Sequence, residues 1–223
     1  MIRKGLLLLT ILALSNCTLG VVSDVTDTGV ANAAGCIVKA GYTDNTIGVS
    51  SSPTAILIDN TGLANLNKSR TAFSQVNIAF FTCRGRDPIA QADNFLNKIS
   101  KKLFDNVWVY LGQESLYYQC SPSSYTPAQN CDYMRAIISE FKKNGVNVGI
   151  AANAETWKDQ FGTFCGDLGA SLPLYWVPDQ DNIPSFAGFK PFGGWQTPAV
   201  KVYKWGSSIA SCAGVNVDLS YRP

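Results

Sequence analysis

Five times in succession, a short β-branched or apolar run is followed by a segment with helical spacing, and after the fifth the helical spacing stops. The runs at 21–24, 46–49, 76–81, 107–111 and 146–150 read as strands. The segments at 33–40, 62–71, 89–103, 126–144 and 155–161 read as helices. The spacing is clear at 89–103, where apolar residues fall at 89, 92, 95, 96, 99 and 103. The 126–144 helix opens on Thr126-Pro127 and stops at Gly145. Three more strands, at 172–177, 200–203 and 215–219, follow with Gly- and Pro-rich loops between them. Strands separated by helices pair in parallel, so the pattern predicts one α/β domain. The expected architecture is a single shortened (β/α) barrel, with about five β-α units followed by three strands largely without helices. An ordinary eightfold barrel takes about 250 residues, and this chain has 223. An open, doubly wound sheet is the alternative.

The first 20 residues stand apart. Arg3 and Lys4 precede the apolar stretch 5–14, and small and polar residues follow to Gly20. That order reads as a secretory signal peptide over 1–20, with the folded domain at 21–223. Cleavage after Cys17 or Gly20 would leave small residues at the required positions, with Gly20 preferred. A membrane anchor is the alternative, but ten apolar residues are too few to span a bilayer. The expected location is therefore extracellular, or the lumen of secretory or lysosome-like vesicles, with no membrane attachment after cleavage. Without Arg3 and Lys4, sixteen basic residues face sixteen acidic ones. A near-neutral chain with no basic run is not expected to bind nucleic acid.

Six cysteines remain after Cys17 is removed: Cys36, Cys83, Cys120, Cys131, Cys165 and Cys212. An even number in an exported chain predicts three disulfides. Cys120 and Cys131, flanking a Ser/Pro-rich loop, are the first pair to expect. Zinc is the rival use of cysteine, but the chain has no C-x-x-C and no histidine. No metal or other cofactor is expected. Asn67-Lys68-Ser69 is an N-glycosylation sequon.

The missing histidine excludes Ser-His-Asp and Cys-His catalysis and leaves acid–base work chiefly to carboxyl groups. In α/β barrels, functional residues lie at the carboxyl ends of strands. That selects Asp24, Glu114, Asp179, Asp181 and Asp218, each of which has a plain alternative as a loop acceptor or helix cap. Asp218 interrupts an apolar strand, where a carboxylate is costly unless paired or facing a polar cleft. Glu114 follows five apolar strand residues and a glycine. Two carboxyls across a scissile bond are the usual apparatus of glycoside hydrolysis. Trp157, Tyr175, Trp176, Trp195, Tyr203 and Trp205 offer flat faces for sugar rings, or belong to the core.

The segment Lys190-Pro191-Phe192-Gly193-Gly194-Trp195, with Pro198 and Tyr203, and then Cys212-Ala213-Gly214-Val215-Asn216-Val217-Asp218-Leu219-Ser220-Tyr221, resembles the closing part of glycoside hydrolase family 25 lysozymes. The likeness is greatest to their nematode and protist branch and extends over most of 21–223. It implies a shortened barrel that cleaves the β-1,4 link between N-acetylmuramic acid and N-acetylglucosamine in peptidoglycan, in digestion or innate defence. Carried over by position, Glu114 is the proton donor, and Asp24 and Asp218 are supporting acids. The aspartate of the family's D-x-E falls on Gly112 and is missing. In a reaction where the substrate's acetamido group attacks, that aspartate orients and stabilises the cation-like intermediate. Asp179, Trp176, Trp195 and Tyr203 are the expected substrate-binding residues. The chain is expected to act as a monomer on peptidoglycan or a related glycan. Loss of the aspartate implies weak or absent hydrolysis, with a catalytically silent glycan-binding or immune-regulatory homologue as the alternative.

Overall fold

The computed structural model of the chain describes residues 18–23, 28–49, 58, 60–111 and 120–223. The elements run β1 (Thr18–Ser23), α1 (Thr28–Lys39), β2 (Tyr42–Gly48), α2 (Asn60–Ala72), β3 (Gln75–Phe81), α3 (Pro88–Lys98), β4 (Asn106–Tyr110), α4 (Pro127–Lys143), β5 (Val148–Ala152), α5 (Ala154–Phe161), α6 (Gly166–Ser171), β6 (Leu174–Trp176), β7 (Val200–Ile209) and β8 (Val215–Arg222). The eight strands close a barrel in sequence order. β1 to β7 are parallel, and β8 closes the ring antiparallel to both β7 and β1. The expected five β-α units and three helix-poor strands are all present, and the open sheet is excluded.

Alternation along the strands divides the core in two. Ala79, Trp108, Tyr110, Ala151, Tyr175 and Val202 fill the barrel. Ile78, Phe80, Val107, Val109, Ile150 and Leu174 face the helices. In that outer layer Phe95 of α3 meets Phe80 and Phe141 edge-on, with ring centroids 5.4 and 5.7 Å away. Inside, a Cβ on Gly149 would lie 2.3 Å from the Trp108 indole, so glycine lets that ring lie across the barrel. The helices start where side chains cap them: Thr126 and Gln129 form a capping box on α4, and Asn153 and Thr156 form one on α5.

The amino-terminal end of the barrel is closed by polar side chains. Asn106 Nδ2 donates to Asn77 Oδ1 at 2.8 Å, Gln75 Nε2 donates to the same oxygen at 3.2 Å, and Arg222 bonds Gln75 and pairs with Asp44 at 2.9 Å. Burial raises the Asp44 carboxyl above its ordinary value, against the opposing pull of Arg222 and Thr43. Such a group favours folding most when protonated, and that contribution fades as pH rises through its raised value. Asp44→Asn, held neutral, should therefore gain stability relative to the parent as pH rises from about 3 to about 7. Urea unfolding at both pH values measures this, and the opposite trend would refute it.

The structure departs from expectation in four places. α6 was not anticipated, because two glycines in Gly-Asp-Leu-Gly-Ala-Ser hide its period. Gly169 is needed there, since a Cβ on it would overlap the Gly193 carbonyl. β7 continues six residues past Tyr203, through bulges that carry it alongside β8. β1 begins at Thr18, so Thr18, Leu19 and Gly20 pair with Arg222, Tyr221 and Ser220. The expected Cys120–Cys131 disulfide is not formed. The bonds are Cys36–Cys212, Cys83–Cys120 and Cys131–Cys165. Cys131 lies on the buried face of α4, which turns it toward Cys165 before α6, while Cys120 meets Cys83 beyond β3.

Candidate active site

The carboxyl ends of β1 to β7 and the start of β8 form one mouth, and Asp218 stands at its edge, paired in register with Val22 of β1. Its place follows from β7. Register slips by one residue on each side of Lys204, and Gly206, at φ +56°, turns the backbone so that its N–H donates to Asp218 Oδ1 at 2.8 Å. The same bulge exposes Trp205, whose backbone N–H donates to Gln180 Oε1 at 3.0 Å. An aromatic face is thus fixed one residue from the amide that holds the carboxylate.

Below lies a floor of phenols. Tyr110 and Tyr175 are buried with ring centroids 6.1 Å apart, and the Trp108 indole lies 5.2 Å from Tyr175. Burial drives Tyr110 well above the ordinary phenol value, and the nearby Tyr175 and Asp218 add to the rise. Burial also raises Tyr175, against the Ser220 and Thr46 hydroxyls. Both phenols therefore stay neutral and serve as hydrogen donors. Among the described residues, the Trp108 Nε1, Tyr110 Oη, Tyr175 Oη and Ser207 Oγ atoms have no well-formed hydrogen bond. Unsatisfied donors under a carboxylate suit a bound water or the polar groups of a ligand.

The expected site residues separate. Asp218 is at the mouth, and Asp179 is exposed in the loop after β6. Asp24, Gly112 and Glu114 lie outside the described residues. Both flanks of the Glu114 segment are anchored, however. Leu111 N–H donates to the Ala151 carbonyl at 2.9 Å, and Cys120 is bonded to Cys83. The Arg84 guanidinium stacks 3.7 Å from the Tyr125 ring and 4.6 Å from that of Tyr133, and bonds Asn130.

Trp176, Trp195 and Tyr203 lie elsewhere. Tyr175 points into the barrel, so Trp176 points out, edge-on to Phe189 at 5.2 Å. Trp195 is buried against Trp157, its indole N–H donating to the Leu172 carbonyl at 2.7 Å. Tyr203 is buried, and its carbonyl accepts from Asn182. Trp176 and Tyr203 pack against the 178–199 loop, which contains Trp195 and covers the barrel where a helix is lacking. Its anchor is Lys201, a fully buried side chain that pairs with Asp181 at 2.5 Å and donates to the carbonyls of Ile183 and Ser185. Burial alone would raise the Asp181 carboxyl, but the bonds to Lys201 and the Ile183 amide bring it below the usual range. Asp181 is thus a loop anchor. The signal for Tyr110 was in the sequence, since polar-tipped aromatics alternate with valines at Val107-Trp108-Val109-Tyr110. Among the described residues, no group of three or more His, Cys, Asp or Glu side chains is arranged to hold a metal ion.

A family model described as lysozyme-like protein 1 matches residues 15–203. The chain belongs to this lysozyme-like family, within glycoside hydrolase family 25. A lysozyme-like relative, the probable GH family 25 lysozyme 2 of Dictyostelium discoideum, is 27% identical over 202 residues, spanning 90% of this chain and 89% of the relative. Muramidase from Trichobolus zukalii superposes with a TM-score of 0.72 at 14% identity, covering 92% of this chain and 93% of the other. The autolysin LytC of Streptococcus pneumoniae, in complex with a synthetic peptidoglycan ligand, superposes at 0.66 with 11% identity, covering 91% of this chain and 46% of LytC. At these identities the structural likenesses establish the lysozyme-like fold. The shared architecture is the closed barrel with helices around its first five strands.

Proposed function

We propose that this lysozyme-like chain is an exported protein that engages bacterial peptidoglycan at the barrel mouth, in digestion or innate defence, and cleaves its β-1,4 link slowly. The observation that carries the reading is Asp218, held at the carboxyl end of the barrel by the Gly206 amide, above two neutral phenols. Glu114 protonates the glycosidic oxygen as the C1–O bond breaks, and the oxygen of the substrate's acetamido group bonds to C1. Water then opens that ring, with Glu114 taking its proton. Asp218 and Asp24 supply negative charge near the developing cation. Gly112 lacks the carboxylate that would hold the acetamido group, which makes the step slow. The complex of LytC with a peptidoglycan ligand supports the choice of substrate.

Three disulfides support export into an oxidising compartment. The signal is cut after Cys17, since Thr18 to Gly20 complete β1. Amino-terminal sequencing of the secreted protein should begin at Thr18, and a start at Val21 would overturn this. For the activity, purified protein should slowly clear a peptidoglycan suspension, and Glu114→Gln should abolish clearing. A wild type that binds the glycan but never clears it would favour the silent binding protein, the reading that Gly112 itself supports.

A further inference from the structure

We propose that the base of the barrel, opposite the mouth, is a docking surface for phosphodiester-bearing anionic polymers of the bacterial envelope. Lys98 ends α3, Lys101 and Lys102 lie on the 3-10 turn before β4, and Lys142 and Lys143 end α4. All five are exposed. They form one patch, because Lys101 Nζ donates to the Asn144 carbonyl at 2.7 Å, joining the 3-10 turn to the end of α4. Arg70, at the end of α2, joins its rim through Asp105, which precedes β4.

The patch carries a surplus of charge. Asp105 is taken by Arg70, and Glu140 by Lys143. Among the described residues, no carboxylate pairs with Lys98, Lys102 or Lys142. Basic residues are favoured at helix C-termini, which accounts for Lys98, Lys142 and Lys143. Lys101 caps the same α4 terminus through the Asn144 carbonyl, but the rule does not account for Lys102, since a three-residue turn has almost no dipole. The chain as a whole is close to neutral, so attraction is local and acts within a Debye length of about 8 Å. Flexible, exposed ammonium groups suit repeated phosphates, as point charges without fixed geometry.

The choice of polymer rests on the reading of the mouth as a peptidoglycan site. A wall is a porous mesh, so a protein within it meets glycan at one end and threaded anionic polymer at the other. The two contacts do not compete, because the base lies at the far end of the barrel from Asp218.

The test compares sedimentation of the protein with walls bearing poly(glycerol phosphate) and with the same walls stripped of that polymer by hydrofluoric acid. Lys98→Gln/Lys102→Gln/Lys142→Gln spares the bonded Lys101 and Lys143. The wild type should bind the phosphate-bearing walls at least about tenfold more tightly, and the triple variant should lose that advantage while binding stripped walls as before. Equal affinity for both walls, or an unchanged triple variant, overturns the proposal. Tighter binding to a DNA duplex than to soluble poly(glycerol phosphate) also overturns it, by assigning the surface to nucleic acid. Retention by soluble poly(glycerol phosphate) with none on stripped walls supports the base and refutes the mouth instead.

Discussion

Gly112→Asp should raise the rate of peptidoglycan clearing by about 10²- to 10³-fold, the span usually lost when one preorganised transition-state group is removed. The substitution restores the carboxylate of D-x-E two residues before Glu114. The restored group comes two residues after Tyr110, which ends β4 and packs inside the barrel. The gain should appear in kcat rather than KM, because the carboxylate acts on charge that develops only as the bond breaks. Turnover of a soluble muropeptide by Gly112→Asp, with Gly112→Asn as the uncharged control, separates charge from size. Equal rates for the two variants, or no gain over wild type, would refute the assignment of Gly112 as the defect.

The largest stability effect is expected from the bond that joins the two ends of the chain. Cys36 on α1 and Cys212 in the β7–β8 hairpin are 176 residues apart in sequence and 5.7 Å apart at Cα. Loop-closure entropy for so long a separation corresponds to about 5 kcal/mol, near the upper limit for a disulfide. Cys83–Cys120, with a separation of 37, constrains the unfolded chain less. Cys36→Ser/Cys212→Ser should therefore lower the denaturant midpoint more than Cys83→Ser/Cys120→Ser. The second pair should instead slow clearing, since Cys120 anchors the segment that carries Glu114. If the two double variants lost equal stability and equal activity, this division of labour would fail.

What the sequence disclosed depended on the distance over which the controlling interaction acts. Local signals placed α4, whose Thr126 cap and Gly145 stop lie within one turn of its ends. The β-α alternation placed the barrel, because parallel neighbours require crossovers. α6 was not legible, since Gly169 answers to the Gly193 backbone and to Trp195, over twenty residues away. The disulfide partners were hidden for the same reason. Nearness of Cys120 and Cys131 in sequence says nothing about the face of α4 on which Cys131 lies. Asp218 was legible as a carboxylate inside an apolar strand. The exchange of roles between Trp176 and Tyr175 was not, because a one-residue shift in register turns every side chain of a strand to the other face.

The pairing of β1 with β8 also sets an order of assembly. Thr18 to Val22 pair with residues 218–222 of β8, the last strand of the barrel. A ribosome that has released β1 through β7 has made nearly the whole sheet, yet the ring stays open and β1 keeps one bare edge. Closure waits for residues 218–222 to emerge, so it follows the making of every other strand. Until then β1 and β7 are both unpaired on one side, and each is open to a second chain. Truncation just before Asp218 would leave the barrel permanently unclosed, with most of its helices already in place.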